Sequence, residues 1–154
     1  MTERRLSVRS HRAREFEGFT TGAGGRLLHA ATLLTAEPPD RNPEARRLLT
    51  TALARTYADW DRVRDEDPYD RVRRELVARF AQRSWRFHRS RGGLLGPLTP
   101  RERLVLVLRL CEGVPEEQTG ALLGLSAERV ESVCRRAVRA LHRPDAADPA
   151  AEAG

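Results

Sequence analysis

Apolar positions recur at three- and four-residue spacing along most of the chain, and no stretch alternates with the two-residue period of a strand. The pattern predicts an all-α protein. Helical periodicity opens with Phe16 and Phe19, is interrupted by Gly22, Gly24 and Gly25, and resumes with Leu27, Leu28, Ala31 and Leu34. A loop with Pro38 and Pro39 follows. Asn42-Pro43 reads as a helix start, a capping side chain before a proline at the first helical position. Ala45, Leu48, Leu49, Ala52, Leu53, Thr56, Tyr57 and Trp60 then hold helical spacing. After a loop around Pro68, Val72, Leu76, Val77 and Phe80 mark another helix, predicted to run to about Arg89.

Gly92-Gly93-Leu94-Leu95-Gly96-Pro97 is the best boundary in the chain. Past it, Thr99-Pro100-Arg101-Glu102 has the form of a capping box with proline at the first helical position. Leu104, Val105, Val107, Leu108 and Cys111 continue that helix, and Gly113 stops it. Pro115 opens a short helix to about Leu123. Gly124-Leu125-Ser126 is a tight turn, and Ser126 caps a last helix with Val130, Cys134, Ala137 and Leu141 on one face. The expected organisation is a basic unstructured arm over 1–12, a helical unit over 13–91, a linker over 92–98, a second helical unit over 99–143 and a disordered acidic tail over 144–154.

Composition narrows the class. No apolar run approaches the length of a membrane span, and the charged start is not a secretory signal. Cys111 and Cys134 are too few for a disulfide framework and are expected as buried thiols, which points to a reducing, cytoplasmic compartment. His11, His29, His88 and His142 lack metal-ligand spacing, and no phosphate loop, nucleotide fingerprint or nucleophile elbow is present. The reading is a non-enzymatic protein without metal or cofactor.

Charge changes the picture further. The chain has 28 basic residues, all arginine, and a net charge of +6. Residues 59–70 carry six acids and two arginines, net −4, whereas residues 71–91 carry eight arginines and one acid, net +7. Without the acidic tail, residues 1–143 stand at +9. The arginines over 71–91 surround Phe80, Trp85 and Phe87. Basic groups attract a nucleic-acid backbone and aromatics stack on unpaired bases, so Arg73, Arg74, Arg79, Arg83, Trp85 and Arg86 are candidates for holding a single strand. The same aromatics also fit a core role, with Trp85 closing a small apolar cluster.

The short helix, glycine turn and longer helix of residues 114–141 form a helix-turn-helix pattern. In that motif the second helix enters the major groove with its N-terminal residues at base edges. Glu128, Arg129, Glu131, Ser132 and Arg135 are the candidates for base contact, and Arg136, Arg139 and Arg143 for phosphate contact. A three-helix bundle with a solvated basic face shares the pattern.

Five segments, in order, resemble the extracytoplasmic-function (ECF) sigma factors of RNA polymerase, closest to the SigE-like subfamily. Arg26-Leu27-Leu28-His29-Ala30-Ala31-Thr32-Leu33-Leu34-Thr35 and Pro43 to Tyr57 are similar to the family's first region. Val72-Arg73-Arg74-Glu75-Leu76-Val77 with the following arginines and Trp85 looks like the helix that melts and reads the −10 element. Leu98 to Leu110 looks like the start of region 4, and Glu116 to Leu141 like its −35-reading helix-turn-helix. The resemblance covers about residues 13–143. It implies two small helical domains, binding to core RNA polymerase and promoter DNA, a possible anti-sigma factor, no membrane insertion, and a nucleoid-associated location in the cytoplasm. It places the polymerase contact on Arg46, Arg47, Leu49, Thr50 and Leu53.

The chain departs from the family at identifiable positions. Arg46, Arg47, Thr50 and Thr51 stand where acidic and amide residues grip the polymerase clamp, Ala78 stands for an asparagine of the −10 helix, and Arg129 and Glu131 replace threonine and lysine. The linker is short: seven extended residues reach about 24 Å, and the two promoter elements lie on the order of 50 Å apart. These departures leave a second reading open, a degenerate sigma-like regulator that binds DNA or an anti-sigma factor without directing initiation.

Overall fold

The computed structural model describes residues 2–63 and 65–143; the predicted acidic tail lies outside the described residues. The helices are α1 (Thr2–Thr35), α2 (Pro43–Ala58), α3 (Trp60–Val63), α4 (Pro68–Gln82), α5 (Pro100–Leu106), α6 (Glu116–Leu123) and α7 (Ala127–His142), with a 3-10 turn at Ser84–Arg86 and a π turn at Val107–Cys111. No strand occurs among the described residues. None of their helices is long and apolar enough to cross a membrane.

Helix α1 corrects two expectations, the unstructured arm over 1–12 and the break at the glycines. Residues 2–35 are one helix. A glycine inside a helix costs about 1 kcal/mol relative to alanine, but it does not change the phase. Phe16, Phe19, Ala23, Leu27, Ala30 and Leu34 hold one face at three- and four-residue intervals through Gly22, Gly24 and Gly25. Both ends of that stripe are anchored. Leu27, Ala30, Ala31 and Leu34 are buried in the core. Phe16 lies 4.8 Å from the Tyr57 ring and edge-on to Trp60 at 5.3 Å. The N-terminal turns have no helix breaker, and Arg12 ties them to Asp61 at 3.2 Å.

The start of α2 is capped differently from the expectation. Asn42 makes no side-chain cap bond. Its amide donates to Thr32 Oγ1 (2.9 Å), and its carbonyl oxygen accepts from Arg46 Nε (3.0 Å). The cap comes from Glu37, which accepts from the backbone N–H groups of Glu44 (3.1 Å) and Ala45 (2.8 Å). A buried carboxylate at a helix N-terminus satisfies orphan donors and opposes the positive end of the dipole.

Helix α4 ends at Gln82, not near Arg89. Phe87 explains the early stop. In a continuous helix Phe80 and Phe87 would lie about 10 Å apart along the axis. Here the 3-10 turn folds the chain back and stacks the two rings at 5.1 Å.

The C-terminal half packs on this bundle. Thr99 and Glu102 form the predicted capping box, with Thr99 Oγ1 accepting from Glu102 N at 3.2 Å. The π turn after Leu106 shifts the helix register, so Leu110 and Cys111 face outward; Cys111 is exposed and Cys134 half-buried, contrary to the expected buried thiols. Leu95 and Leu98 of the linker are buried, and one apolar cluster runs from α1, α2 and α4 through them to α5, the π turn and Ala137 of α7.

Arg103 sits at the junction with no exposed surface. Its Nε donates to the carbonyls of Leu95 (3.2 Å) and Leu98 (3.1 Å), and its Nη1 to those of Leu34 (3.2 Å) and Phe87 (2.7 Å). Burial, aided by nearby Arg91, lowers its pKa from the ordinary arginine value. Arg103→Ala removes four charge-assisted bonds and leaves buried carbonyls unpaired. We expect a loss of about 3–5 kcal/mol in urea unfolding, with Arg103→Lys recovering only part because an ammonium lacks the planar fork.

Candidate nucleic-acid interface

Helices α6 and α7 make the predicted helix-turn-helix. Gly124 closes α6 with a left-handed φ of +69°, and Ser126 Oγ accepts from Arg129 N at 3.1 Å to start α7. Val130 and Val133 turn inward against Val105 of α5, with Leu123 and Leu125 beside them. The opposite face is open: Glu128, Arg129, Glu131, Ser132, Arg135, Arg136, Arg139 and Arg143 are all exposed. The structure therefore brings every predicted residue of this helix to one solvent face. Arg135 and Glu131 lie 3.8 Å apart as an i,i+4 pair. Arginine matches the guanine edge and glutamate the cytosine amino group, so the pair carries donors and acceptors suited to G·C.

Gly120 is a requirement the sequence reading missed. A β-carbon there would lie 2.3 Å from Leu125 O, and Leu125 N donates to Gly120 O at 2.9 Å. The turn packs directly on the α6 backbone, so an alanine at 120 has to push the recognition helix away. The signal was present as a second glycine four residues before Gly124, but a glycine inside a short helix has no unique meaning.

The arginine-rich segment divides into two parts. Arg73 bonds Asp70 at 2.7 Å and lies over the Tyr69 ring; Arg74 bonds Glu66; Arg71 meets Asp59 at 3.3 Å and Glu75 at 3.6 Å. The acidic stretch thus neutralises the first turns of α4. Further on, Arg79, Arg83, Arg86 and Arg89 have no carboxylate within 4 Å among the described residues. Arg83, Arg86 and Arg89 are exposed and Arg79 is half-buried; they flank in sequence Trp85, which is 73% exposed, and Arg86 lies over its ring at 5.9 Å. Trp85 does not close an apolar core; Phe80 and Phe87 do. Its ring is available for stacking.

On α2, Arg46, Arg47 and Thr50 are exposed and Leu53 is half-buried, but Leu49 is 8% exposed and belongs to the core. Leu49, one of the expected contact residues, packs into the core, because it lies one residue inside the exposed Thr50 on the helix. Arg47 pairs with Glu44 at 2.8 Å. Among the described residues no group of three or more His, Cys, Asp or Glu side chains is placed to hold a metal ion.

Glu112 was not anticipated. Its side chain is 3% exposed and accepts from Tyr69 Oη at 2.6 Å and Arg26 Nε at 3.3 Å, with Arg73 Nη1 at 3.9 Å. Burial and this hydrogen bond to Glu112 raise the Tyr69 pKa well above its ordinary value. No local pattern announces a carboxylate whose partners lie 43 and 86 residues away.

Two substitutions check this geometry. Trp85→Ala is expected to leave stability within about 0.5 kcal/mol and to weaken single-stranded DNA binding by about 1–3 kcal/mol, read by fluorescence anisotropy. Gly120→Ala is expected to cost about 1–3 kcal/mol in thermal unfolding and to weaken duplex binding, while Gly22→Ala, with nothing near its added carbon, does neither.

The arrangement has counterparts in known proteins. The family described as Sigma-70, region 4 matches residues 94–143. RNA polymerase sigma-E factor of Streptomyces coelicolor is 32% identical over an alignment covering 82% of this chain and 84% of that protein. The Streptomyces avermitilis protein of the same name is also 32% identical, over 82% and 83%. The fold is similar to that of CnrH, solved in complex with the cytosolic domain of CnrY, at a TM-score of 0.61 and 23% identity over 84% of this chain and 86% of that one. A recognition helix bared on one face, an exposed tryptophan among free arginines and relatives matched along most of their length agree: the chain belongs to the ECF sigma factors of the sigma-E type.

Proposed function

We propose that this protein acts without catalysis as a promoter-recognition subunit: it joins core RNA polymerase, holds the melted −10 strand and reads the −35 duplex. The observation that carries the reading is the division of labour between two exposed basic surfaces. One surrounds Trp85, where a ring and Arg79, Arg83 and Arg86 suit an unpaired strand. The other is the outer face of α7, which suits a major groove. Glu128, Arg129, Glu131, Ser132 and Arg135 take the base edges; Arg136, Arg139 and Arg143 take phosphates. The first surface belongs to a unit spanning residues 13–91 and the second to residues 99–143, joined by 92–98.

Arg46, Arg47, Thr50 and the half-buried Leu53 of α2 are the proposed polymerase contact. With arginines in place of acids, this face fits a more acidic partner surface than the family's usual one. The family reading also implies an anti-sigma factor as antagonist and a location in the cytoplasm on the nucleoid. CnrH, a protein of this fold, is itself solved with a second protein bound, the cytosolic domain of CnrY.

Run-off transcription with core polymerase on genomic promoter fragments tests the proposal. Promoter-specific transcripts support it; DNA binding without transcripts favours the regulator that does not initiate. Within an active holoenzyme, Arg135→Ala should cost about 1–3 kcal/mol at one base pair of the −35 element and relax preference there, while Arg139→Ala should weaken all sequences alike and lower the salt slope by about 1.

A further inference from the structure

The first turns of α1 carry charge that folding leaves unused. Residues 2–14 hold five arginines against the single acid Glu3. Thr2 to His11 are exposed all round the helix, as are Ala13 and Arg14. The root of this arm is nonetheless fixed to the bundle. Arg12 meets Asp61 at 3.2 Å, Glu15 accepts from Trp60 Nε1 at 3.2 Å, and Phe16 packs on Tyr57 and Trp60. Beyond that root, no carboxylate lies within 4 Å of Arg4, Arg5 or Arg9 among the described residues.

Helical geometry gathers these cations. Arg4, Arg5 and Arg9 line one face with Val8 and Arg12. The three unpaired guanidinium groups stand within about 8 Å along the axis. They also stand at the end of the helix that disfavours them, since the N-terminus carries positive partial charge. Glu3 is the acid of that first turn, against two arginines in the next two positions. An external polyanion relieves this repulsion.

Three features choose among polyanions. Thr2 to Ala13 include no phenylalanine, tyrosine or tryptophan, so unpaired bases find no ring to stack on. Leu6 and Val8 are exposed but lie on opposite sides of the helix, so there is no apolar face to enter a membrane. A DNA duplex presents a phosphate charge about every 1.7 Å of its axis, and guanidinium groups take phosphate oxygens bidentately. The fold then supplies a distance. The turn that carries Trp85 lies beside the other end of α1, where Arg91 N donates to Ala36 O at 3.2 Å and Arg103 joins the carbonyls of Leu34 and Phe87. Arg9 is about 39 Å from that end along the helix axis, close to the ~34 Å of one DNA turn.

We propose that Arg4, Arg5 and Arg9 form a third DNA contact, which grips the phosphate backbone of duplex DNA without reading its sequence, about one helical turn from the strand held at Trp85. The grip on a duplex stands on the arm alone. Its distance from a melted strand rests on the proposed function.

The test uses the full chain and a fluorescein-labelled random 30-base-pair duplex, read by anisotropy across a salt series. Arg4→Gln, Arg5→Gln and Arg9→Gln are combined, because glutamine keeps a helix propensity close to arginine's. The triple variant is expected to unfold at the wild-type temperature, to bind the duplex about ten-fold more weakly at low salt, and to lower the slope of log affinity against log salt by about 2–3. A control that removes the same charge from exposed Arg14, Arg41 and Arg101 is expected to change the slope by less than about 1. Duplex is also expected to slow hydrogen exchange at the Val8 and Arg9 amides. Equal effects of the two triple variants, or unchanged exchange on the arm, overturn the contact. So does an unchanged duplex affinity, whether the variant loses binding to phosphatidylglycerol vesicles, which makes the arm a lipid contact, or loses binding to core polymerase, which makes it a protein contact. A wild-type chain that yields no promoter-specific transcripts, while the arm variant still loses duplex affinity, defeats the proposed function and leaves the grip standing.

Discussion

The buried guanidinium of Arg103 is the contact through which the chain's separate segments become one body. Arginine carries five donors in a rigid plane and no acceptor, so it suits a place where several carbonyls converge. Leu34 lies in the last turn of α1, where helix carbonyls lack intrahelical partners and the dipole is negative. That last turn has no basic residue of its own. Arg103, 69 residues away, supplies one. The same side chain takes the carbonyls of Phe87, after α4, and of Leu95 and Leu98 in the linker.

That arrangement changes what the linker is. Seven residues between two helical units look like a short tether. In the structure they are a folded strap, with Leu95 and Leu98 inside the core and their carbonyls on Arg103. A strap is short because its two ends meet at one place. Glu112 makes a second contact, farther along α1 and α4, and the two together fix the C-terminal half in orientation as well as position. One contact joins and permits rotation; two do not.

What was legible in the sequence was what short-range rules govern. The Thr99–Glu102 box, the Ser126 cap and the helix-turn-helix are decided within a few residues, and all three stand as expected. The α1 stripe was legible too, but three glycines drew attention to propensity where phase was decisive. Long-range polar contacts left no trace. Glu37 caps a helix that begins six residues later, displacing the Asn42 that local rules favour. The partners of Arg103 and Glu112 are set by tertiary packing, which no spacing encodes. Leu49 shows the same limit on one helix: a stripe locates a face only to within a residue, so neighbours such as Leu49 and Thr50 fall on opposite sides of the boundary.

The charge distribution gains its meaning from this packing. Along the sequence, an acidic stretch abuts a basic one, and the basic one reads as a continuous nucleic-acid surface. Folding places the acids over the first turns of α4, where Asp59, Glu66 and Asp70 take Arg71, Arg74 and Arg73. The positive field then concentrates beyond Phe80, on arginines that share their neighbourhood with the exposed Trp85. Counterion release counts only charges free to meet phosphates, so fewer arginines contribute to binding than the sequence contains. Their position matters more than their number. A ring that stacks on an unpaired base is effective where the strand's backbone is also held, and the acidic loop leaves that combination at the end of α4.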